Sequence, residues 1–130
     1  MKSSKAAYSG RLGENLAARY LISQNLNLLV KNFHCCYGEI DLIAMDKEEI
    51  VFVEVKTRHK TIKKAENSVS VVKQKRIIKS ALMFIDQNPE YELYSLRFDV
   101  ILIRLRDKFS NTQLIHLKDA FSPAYEESFQ

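Results

Sequence analysis

The chain has 130 residues, of which 46% are hydrophobic and 28% are charged, and its net charge is +4. This size and composition are typical of one soluble globular domain and exclude a disordered or low-complexity protein. No stretch of 20 apolar residues occurs, and the first ten residues lack an apolar core, so we expect neither a transmembrane helix nor a secretory leader.

The positive charge is concentrated in one block. Residues 56–79 contain nine Lys or Arg and one acid, which gives +8 and leaves −4 for the rest of the chain. A basic block on a mildly acidic body favours an anionic partner on one side of the fold. A solvated loop and helix face would explain the block equally well if it stood alone, but the block begins inside the strand motif described below.

The first predicted element is a helix over residues 11–24, in which apolar residues recur at helical spacing from Leu12 to Leu21. Glu14 lies at the edge of this apolar stripe rather than on the polar face. A strand over residues 28–33 follows. The adjacent Cys35 and Cys36 are poorly placed for an ordinary disulfide, which favours a reducing cytoplasm, and too few further ligands accompany them for zinc.

Two neighbouring apolar runs interrupted by acids come next. Residues 38–45 and 50–56 predict two strands, and the polar turn between them predicts an antiparallel hairpin. The two-residue alternation of a strand places Glu54 and Lys56 on one face at the end of the second run. Asp41 joins them if the register of the hairpin allows. Unpaired carboxylates are costly in such buried strands, so these residues require a shared explanation.

The second half of the chain predicts a helix and two more strands. Ser70 is the expected N-cap of a helix over residues 71–87, and Gln74 points toward its apolar stripe. That glutamine either makes a structural cap or reaches into a site. The predicted stripe consists of Ile77, Ile78, Ala81, Leu82 and Ile85. Strands are predicted over residues 97–104 and 113–117, and residues 1–130 form a single domain whose ends, 1–8 and 121–130, we expect to be loosely ordered.

The chemistry of the hairpin residues favours a metal. Two carboxylates that converge raise each other's pKa unless a cation joins them, and carboxylate oxygens with room for water suit Mg²⁺ or Mn²⁺. Such an ion activates water and polarises a phosphoryl oxygen. Lys56 could orient or deprotonate the water or stabilise charge on the phosphate, and Glu14 could help to position the ion. A buried Asp–Lys or Glu–Lys ion pair remains an alternative explanation without catalysis.

Four sequence motifs resemble the YraN family of bacterial proteins, which is assigned to the PD-(D/E)XK, or restriction-endonuclease-like, nuclease superfamily. The resemblance extends from about residue 8 to residue 120 and is weaker in the C-terminal part. The motifs are Gly10-Arg11-Leu12-Gly13-Glu14 with Ala17, Ala18, Tyr20 and Leu21; Asn32 with Gly38-Glu39-Ile40-Asp41-Leu42-Ile43; Phe52-Val53-Glu54-Val55-Lys56-Thr57-Arg58; and Arg97-Phe98-Asp99-Val100.

The resemblance implies an α/β fold with an α-β-β-β-α-β core and a mixed sheet flanked by helices. It also implies a set of site residues: Glu14, Asp41, Glu54, Lys56 and Gln74. Of these, Asp41 and Glu54 are the expected ligands of Mg²⁺ or Mn²⁺. Residues 61–66 depart from the Gly- and Pro-containing stretch usual in the family, so the loop that borders the site is expected to differ in shape or charge.

The leading hypothesis is a cytoplasmic, metal-dependent DNA endonuclease, with branched or structured DNA among its candidate substrates and DNA favoured over RNA. The expected nucleic-acid contacts are Arg58, Lys60, Lys73, Lys75 and Arg76. A non-catalytic nucleic-acid-binding module on the same scaffold is the alternative. A third hypothesis, a protein-interaction domain, rests on the aromatic tail residues Phe121, Tyr125 and Phe129. A homodimer could cut two strands, although no sequence feature establishes one.

Overall fold

The computed structural model describes residues 4–59, 69–105 and 112–123, with only the backbone described for residues 4–9. Within these ranges the chain forms two α-helices, a short 3-10 helix over Pro89–Tyr91 and one five-stranded sheet. The helices and strands in chain order are α1 (Ser4–Ser23), β1 (Asn27–Cys35), β2 (Gly38–Asp46), β3 (Glu49–Arg58), α2 (Val71–Gln87), β4 (Ser95–Arg104) and β5 (Gln113–Phe121).

The order of the strands in the sheet follows their order in the chain, from β1 to β5. All neighbouring strands are antiparallel except β3 and β4, which are parallel and joined by the crossover that contains α2. The implied α-β-β-β-α-β core with a mixed sheet is therefore confirmed, and so is the predicted hairpin of β2 and β3. The fifth strand adds an antiparallel edge next to β4.

Each face of the sheet is covered by one helix, which explains the long apolar runs of the central strands. On β3, Val51 and Val53 pack in the cluster that contains residues of α1, whereas Ile50 and Phe52 pack in the cluster that contains residues of α2. Successive side chains of a strand point to opposite faces, so a strand covered on both sides has no solvent-facing position in its centre.

Helix α2 has the predicted bounds and N-cap, because the Ser70 hydroxyl accepts a hydrogen bond from the Lys73 backbone N–H at 3.2 Å. The predicted apolar stripe was wrong at one position. Leu82 is 56% exposed, and Phe84 is buried instead. A residue two positions away lies about 200° around the helix, so the face that buries Phe84 turns Leu82 to solvent.

The ends of the described chain differ from the sequence expectation. Helix α1 begins at Ser4 rather than near residue 11, so residues 4–8 are helical, and β5 extends to Phe121. The Phe121 ring stacks on Phe98 with 5.2 Å between the ring centroids, so this partly buried aromatic residue packs against the core. Tyr125 and Phe129 lie outside the described residues. No described helix is long and apolar enough to cross a membrane.

Candidate active site

The hairpin of β2 and β3 separates where its two acids meet. The strands pair in register from Asp46–Glu49 to Leu42–Val53. One further step would place Asp41 directly opposite Glu54, with both side chains on the same face of the sheet. At this step a side-chain contact replaces the backbone hydrogen bonds between the strands: the Val55 N–H donates to the Asp41 carboxylate at 2.8 Å. The Asp41 side chain thus lies between the two strands.

Asp41 and Glu54 form a buried acidic pair. Asp41 is 9% exposed and Glu54 is 7% exposed, and a hydrogen bond joins their carboxyl groups. Burial raises the pKa of Asp41 to about 8, and the charge of Glu54 adds to this rise, while the hydrogen bond from Val55 opposes it. At neutral pH the pair therefore holds a proton where two free carboxylates would repel each other.

A lysine from α2 meets this pair, and it is not the one that the strand pattern suggested. The ammonium group of Lys73 forms an ion pair with Glu54. This contact is a Glu–Lys pair of the kind that the non-catalytic explanation requires, although its lysine side chain is 53% exposed, and it accounts for Glu54. It does not account for Asp41, whose carboxylate accepts the Val55 N–H and lies beside Glu54.

The first helix approaches the site from the other face of the sheet. A Cβ atom placed on Gly13 would lie 2.0 Å from the Thr57 hydroxyl oxygen of β3, so only glycine permits this close approach. The next residue, Glu14, is half-buried, and its charge contributes to the raised pKa of Asp41. The predicted acid of the first helix is thus near enough to act on the pair, although its charge raises the pKa of Asp41 less than the charge of Glu54 does.

A cleft of about 300 Å³ opens over the acidic pair. The described residues that line it are Gly38, Glu39, Asp41, Glu54, Lys73, Arg76 and Ile77. Its lining thus combines three acidic residues, which attract a metal cation, with two cations of α2, which attract a phosphate. We call it the carboxylate cleft.

The remaining predicted site residues have different environments. Lys56 is half-buried, follows Glu54 on the same face of β3 and does not line the carboxylate cleft. Gln74 donates through Nε2 to the Val69 carbonyl oxygen at 2.8 Å, which is the structural cap among the two roles considered for it.

The basic residues predicted to contact nucleic acid are also divided. Arg58 is half-buried and donates to the backbone carbonyl of Thr57 at 3.0 Å. Lys75 is exposed on α2 outside the carboxylate cleft, whereas Lys73 and Arg76 line it. Lys60 and the divergent loop 61–66 lie outside the described residues.

The two carboxylates fit a hard divalent cation whose remaining ligands are water molecules and substrate oxygens. Within the described ranges, no group of three or more His, Cys, Asp or Glu side chains is arranged to hold a metal. Mg²⁺ commonly takes only one or two carboxylates and completes its octahedron with waters and phosphate oxygens. Asp41 and Glu54 supply this minimal set.

Comparison with known sequences identifies the family. Residues 13–103 match the model of "Uncharacterised protein family UPF0102". The chain belongs to this family, which is the YraN family. A UPF0102 protein of Syntrophus aciditrophicus is 41% identical over 118 residues, covering 90% of this chain and 91% of the relative. One from Caldicellulosiruptor bescii is 45% identical over 114 residues, covering 86% and 95%. One from Francisella tularensis subspecies novicida is 43% identical over 96 residues, covering 72% and 82%.

This UPF0102 chain also contains a buried polar network that sequence reasoning missed. Asp99, which is fully buried, accepts two hydrogen bonds from Arg97 at 2.9 and 3.0 Å and lies 2.7 Å from His116 Nε2. The other ring nitrogen of His116 lies 3.1 Å from the Tyr20 hydroxyl of α1. The Arg-x-Asp spacing on one strand was the available signal, because residues two apart share a face.

Arg97 extends the network to the β2–β3 turn, where it contacts Asp46 and Glu49 at 3.1 Å each. The cation and hydrogen bonds around Asp99 outweigh its burial and lower its pKa. The network therefore joins α1, the turn, β4 and β5 in one charged cluster. Its members are paired with one another, which indicates a role in fixing the fold around the site.

Proposed function

We propose that this protein is a Mg²⁺- or Mn²⁺-dependent endonuclease that hydrolyses DNA phosphodiester bonds and belongs to the restriction-endonuclease-like superfamily. The observation that carries the proposal is the buried Asp41–Glu54 pair, in which burial and the charge of Glu54 raise the pKa of Asp41, so that a cation would be favoured beside the two carboxylates. The carboxylate cleft above the pair has a cationic wall suited to a phosphate. The α-β-β-β-α-β core agrees with the fold expected from the superfamily resemblance.

The carboxylates of Asp41 and Glu54 would hold the ion from the two separating strands. A bound ion would supply Lewis acidity, activating a water and polarising a phosphoryl oxygen. Before it binds, the Lys73 ammonium balances the charge of Glu54. Because that lysine side chain is 53% exposed, it is able to turn from the carboxylate toward a phosphate of the substrate.

Lys56 is proposed to orient or deprotonate the attacking water, or to stabilise negative charge that develops on the phosphate. Glu14 would act through its charge or through a water near Asp41. Gln74 is proposed to support the site by fixing the start of α2, consistent with its hydrogen bond to Val69.

The basic residues are proposed to bind the substrate. Arg76 and Lys73 would contact the phosphates next to the cut, and Arg58, Lys60 and Lys75 would contact phosphates farther away. We propose DNA rather than RNA as substrate, including branched or structured DNA, and a cytoplasmic location in which Cys35 and Cys36 stay reduced. A homodimer would let two sites cut opposite strands.

The experiment uses purified protein with end-labelled duplex, single-stranded, flap and four-way-junction DNA, with Mg²⁺, Mn²⁺ or EDTA. We expect cleavage in the presence of metal and its loss in Glu54→Ala and Asp41→Asn. Glu39→Gln is the matched control, because Glu39 lines the same cleft but pairs with His34 and is exposed. Cleavage that survives both substitutions in the acidic pair would show that the activity belongs to a contaminant.

The non-catalytic alternative predicts a different set of results. A binding module would bind DNA with a steep dependence on salt, cut none of the substrates with either metal and keep its affinity in Glu54→Ala. Substitution of Lys73, Lys75 and Arg76 together weakens binding under both hypotheses, so only the acidic variants separate them.

A further inference from the structure

A tyrosine in the β1–β2 turn lies beside the carboxylate cleft. The backbone of Gly38 packs against α2, where a Cβ atom on this glycine would lie 3.9 Å from Arg76 Cβ and 4.0 Å from Ser80 Oγ. The preceding residue, Tyr37, is 44% exposed, and the Lys79 ammonium lies 5.7 Å from its ring centroid. The turn thus holds an aromatic ring against the same helix whose cations line the cleft.

A second depression, of about 310 Å³, begins at this ring. Its lining residues are Tyr37, Lys79, Leu82, Met83 and Asp86, and we call it the tyrosine groove. Tyr37 is the chain neighbour of Gly38, and Lys79 lies about one helical turn beyond Arg76 on α2. Because Gly38 and Arg76 line the carboxylate cleft, the two depressions adjoin.

The cations between the two depressions form a row. Lys73, Arg76 and Lys79 follow one another at intervals of three residues, so they lie along one side of α2. At 1.5 Å per residue the row extends about 9 Å along the helix, which is enough for one or two steps between successive phosphates of a DNA strand. A DNA strand whose phosphates follow this row would extend from the acidic pair to the tyrosine groove and would place one of its nucleotides at the groove.

The lining of the tyrosine groove suits a base better than another phosphate. Besides Lys79, the groove is lined by the Tyr37 ring, by Leu82, which is 56% exposed, and by Met83. The carboxyl group of Asp86 lines it toward the C-terminal end of α2. A carboxylate repels phosphate but accepts hydrogen bonds from amino groups of bases. Aromatic faces bind bases that are not stacked within a duplex.

We infer that Tyr37 and Lys79 bind an unpaired base one or two nucleotides from the bond that is cut. This inference rests on the proposed function for the position of the cut, and it assigns DNA with a single-stranded extension, such as a flap or a frayed end, as the substrate class. Tyr37 provides the stacking face, Lys79 neutralises the neighbouring phosphate and Leu82 covers the edge of the base. In a continuous duplex the bases are stacked on each other and the groove stays empty.

The test measures binding rather than cleavage. Duplex DNA with a single-stranded extension carries 2-aminopurine at one of the first five unpaired positions, and Ca²⁺ replaces Mg²⁺ and Mn²⁺. We expect the protein to change the fluorescence at one position most strongly. Tyr37→Ala should remove this change and weaken binding about tenfold, whereas Tyr37→Phe, which keeps the ring, should retain both. Lys79→Ala should reduce the slope of log affinity against log salt by about one.

The controls separate this inference from the proposed function. Tyr94→Ala removes another exposed tyrosine and should leave binding unchanged, and thermal unfolding verifies that the Tyr37 variants are folded. Equal fluorescence and affinity for the wild type and Tyr37→Ala would overturn the inference even if the protein cuts DNA. Tyr37-dependent binding without cleavage in any metal would support the groove and reject the endonuclease. Absence of DNA binding would reject both.

Discussion

Asp41 and Glu54 share a hydrogen bond at the point where β2 and β3 separate. The backbone pairing of the two strands ends there, because the Asp41 carboxylate lies between them and accepts a hydrogen bond from the Val55 N–H at 2.8 Å. The sequence thus places two buried acids against each other, and the Lys73 ammonium forms an ion pair with Glu54. A pair of this kind destabilises the metal-free fold at neutral and higher pH, and a bound cation would relieve that cost.

The first prediction concerns the pH dependence of stability without metal. The folded protein raises the pKa of Asp41 from 3.8 to about 8, so between these values it holds a proton that the unfolded chain has released. Its free energy of unfolding should therefore fall as pH rises from 5 to 8, with a contribution of up to about 1.4 kcal/mol per pH unit. Urea denaturation in EDTA measures this slope.

Asp41→Asn is the matched variant, because asparagine keeps an oxygen for the Val55 N–H but cannot lose a proton. It should have a flatter slope than the wild type and be the more stable protein at pH 8. Other groups that titrate in this range are present in both proteins and cancel in the comparison. Equal slopes for the two proteins would refute the assignment of the shifted proton to Asp41.

The second prediction concerns Lys73, which occupies the coordination space of Glu54 when no metal is bound. Lys73→Ala should raise the affinity for Mn²⁺ in the absence of DNA by about two- to fivefold, since metal no longer displaces a half-exposed ion pair. The same substitution should weaken DNA binding. Lys75→Ala is the control on the same helical turn and should change only the DNA affinity. Unchanged metal affinity in Lys73→Ala would argue against competition at Glu54.

The third prediction uses two glycines of the same helix. Gly13→Ala should destabilise the protein by about 1–3 kcal/mol, because the new Cβ atom would overlap the Thr57 hydroxyl. Gly10→Ala should instead stabilise it by roughly 0.5–1 kcal/mol, since a Cβ atom there meets no atom within 4 Å and alanine favours the helix. Equilibrium denaturation distinguishes these signs. A stabilising effect of both substitutions would contradict the close packing of α1 on β3.

The fourth prediction tests the charged network around Asp99. Asp99→Ala should cost about 3–5 kcal/mol, because it leaves Arg97 and His116 without their shared buried partner. Glu49→Ala, which removes a more exposed partner of the same arginine, should cost no more than about 1 kcal/mol. Similar small losses for both variants would show that the buried carboxylate contributes little.

The pKa of Asp99 also fixes the direction of its pH dependence. Since the folded protein lowers this pKa, the stabilisation is present above the ordinary range near pH 4 and is lost as pH falls through the lower folded value. The acid denaturation midpoint should therefore move to higher pH when Asp99 is replaced. Asp99 changes the stability below about pH 4, whereas Asp41 changes it between about pH 5 and 8, so the two contributions can be measured separately.

The sequence placed Asp41 and Glu54 on neighbouring strands of a predicted hairpin but left their register open, and the structure supplies that register. Asp46 pairs with Glu49 around the two-residue loop of Lys47 and Glu48, and counting back along both strands brings Asp41 opposite Glu54. The strand alternation then assigns both side chains to one face. The period of two and the closeness of the two strands in the chain predicted the hairpin, but the residues of its turn, and therefore the register, came from the structure.

The contacts that depend on docking between distant elements were not predictable in this way. Lys73 reaches Glu54 only because α2, after a crossover, packs with a particular rotation on the sheet. The same rotation exposes Leu82, which the predicted stripe had placed inside. His116 meets Asp99 through the register of β5 against β4, and no local pattern specifies that register.

The most direct test of the central claim is a calorimetric titration of the metal-free protein with Mn²⁺ near pH 7, with and without DNA, in buffers of different ionisation enthalpy. We predict binding of an ion with release of about one proton, because the shared proton of the acidic pair must leave. Asp41→Asn should weaken binding by roughly tenfold or more and release no such proton, whereas Glu39→Gln should resemble the wild type. Equal binding by Asp41→Asn and the wild type, or no divalent binding even with DNA, would contradict a metal site at Asp41 and Glu54.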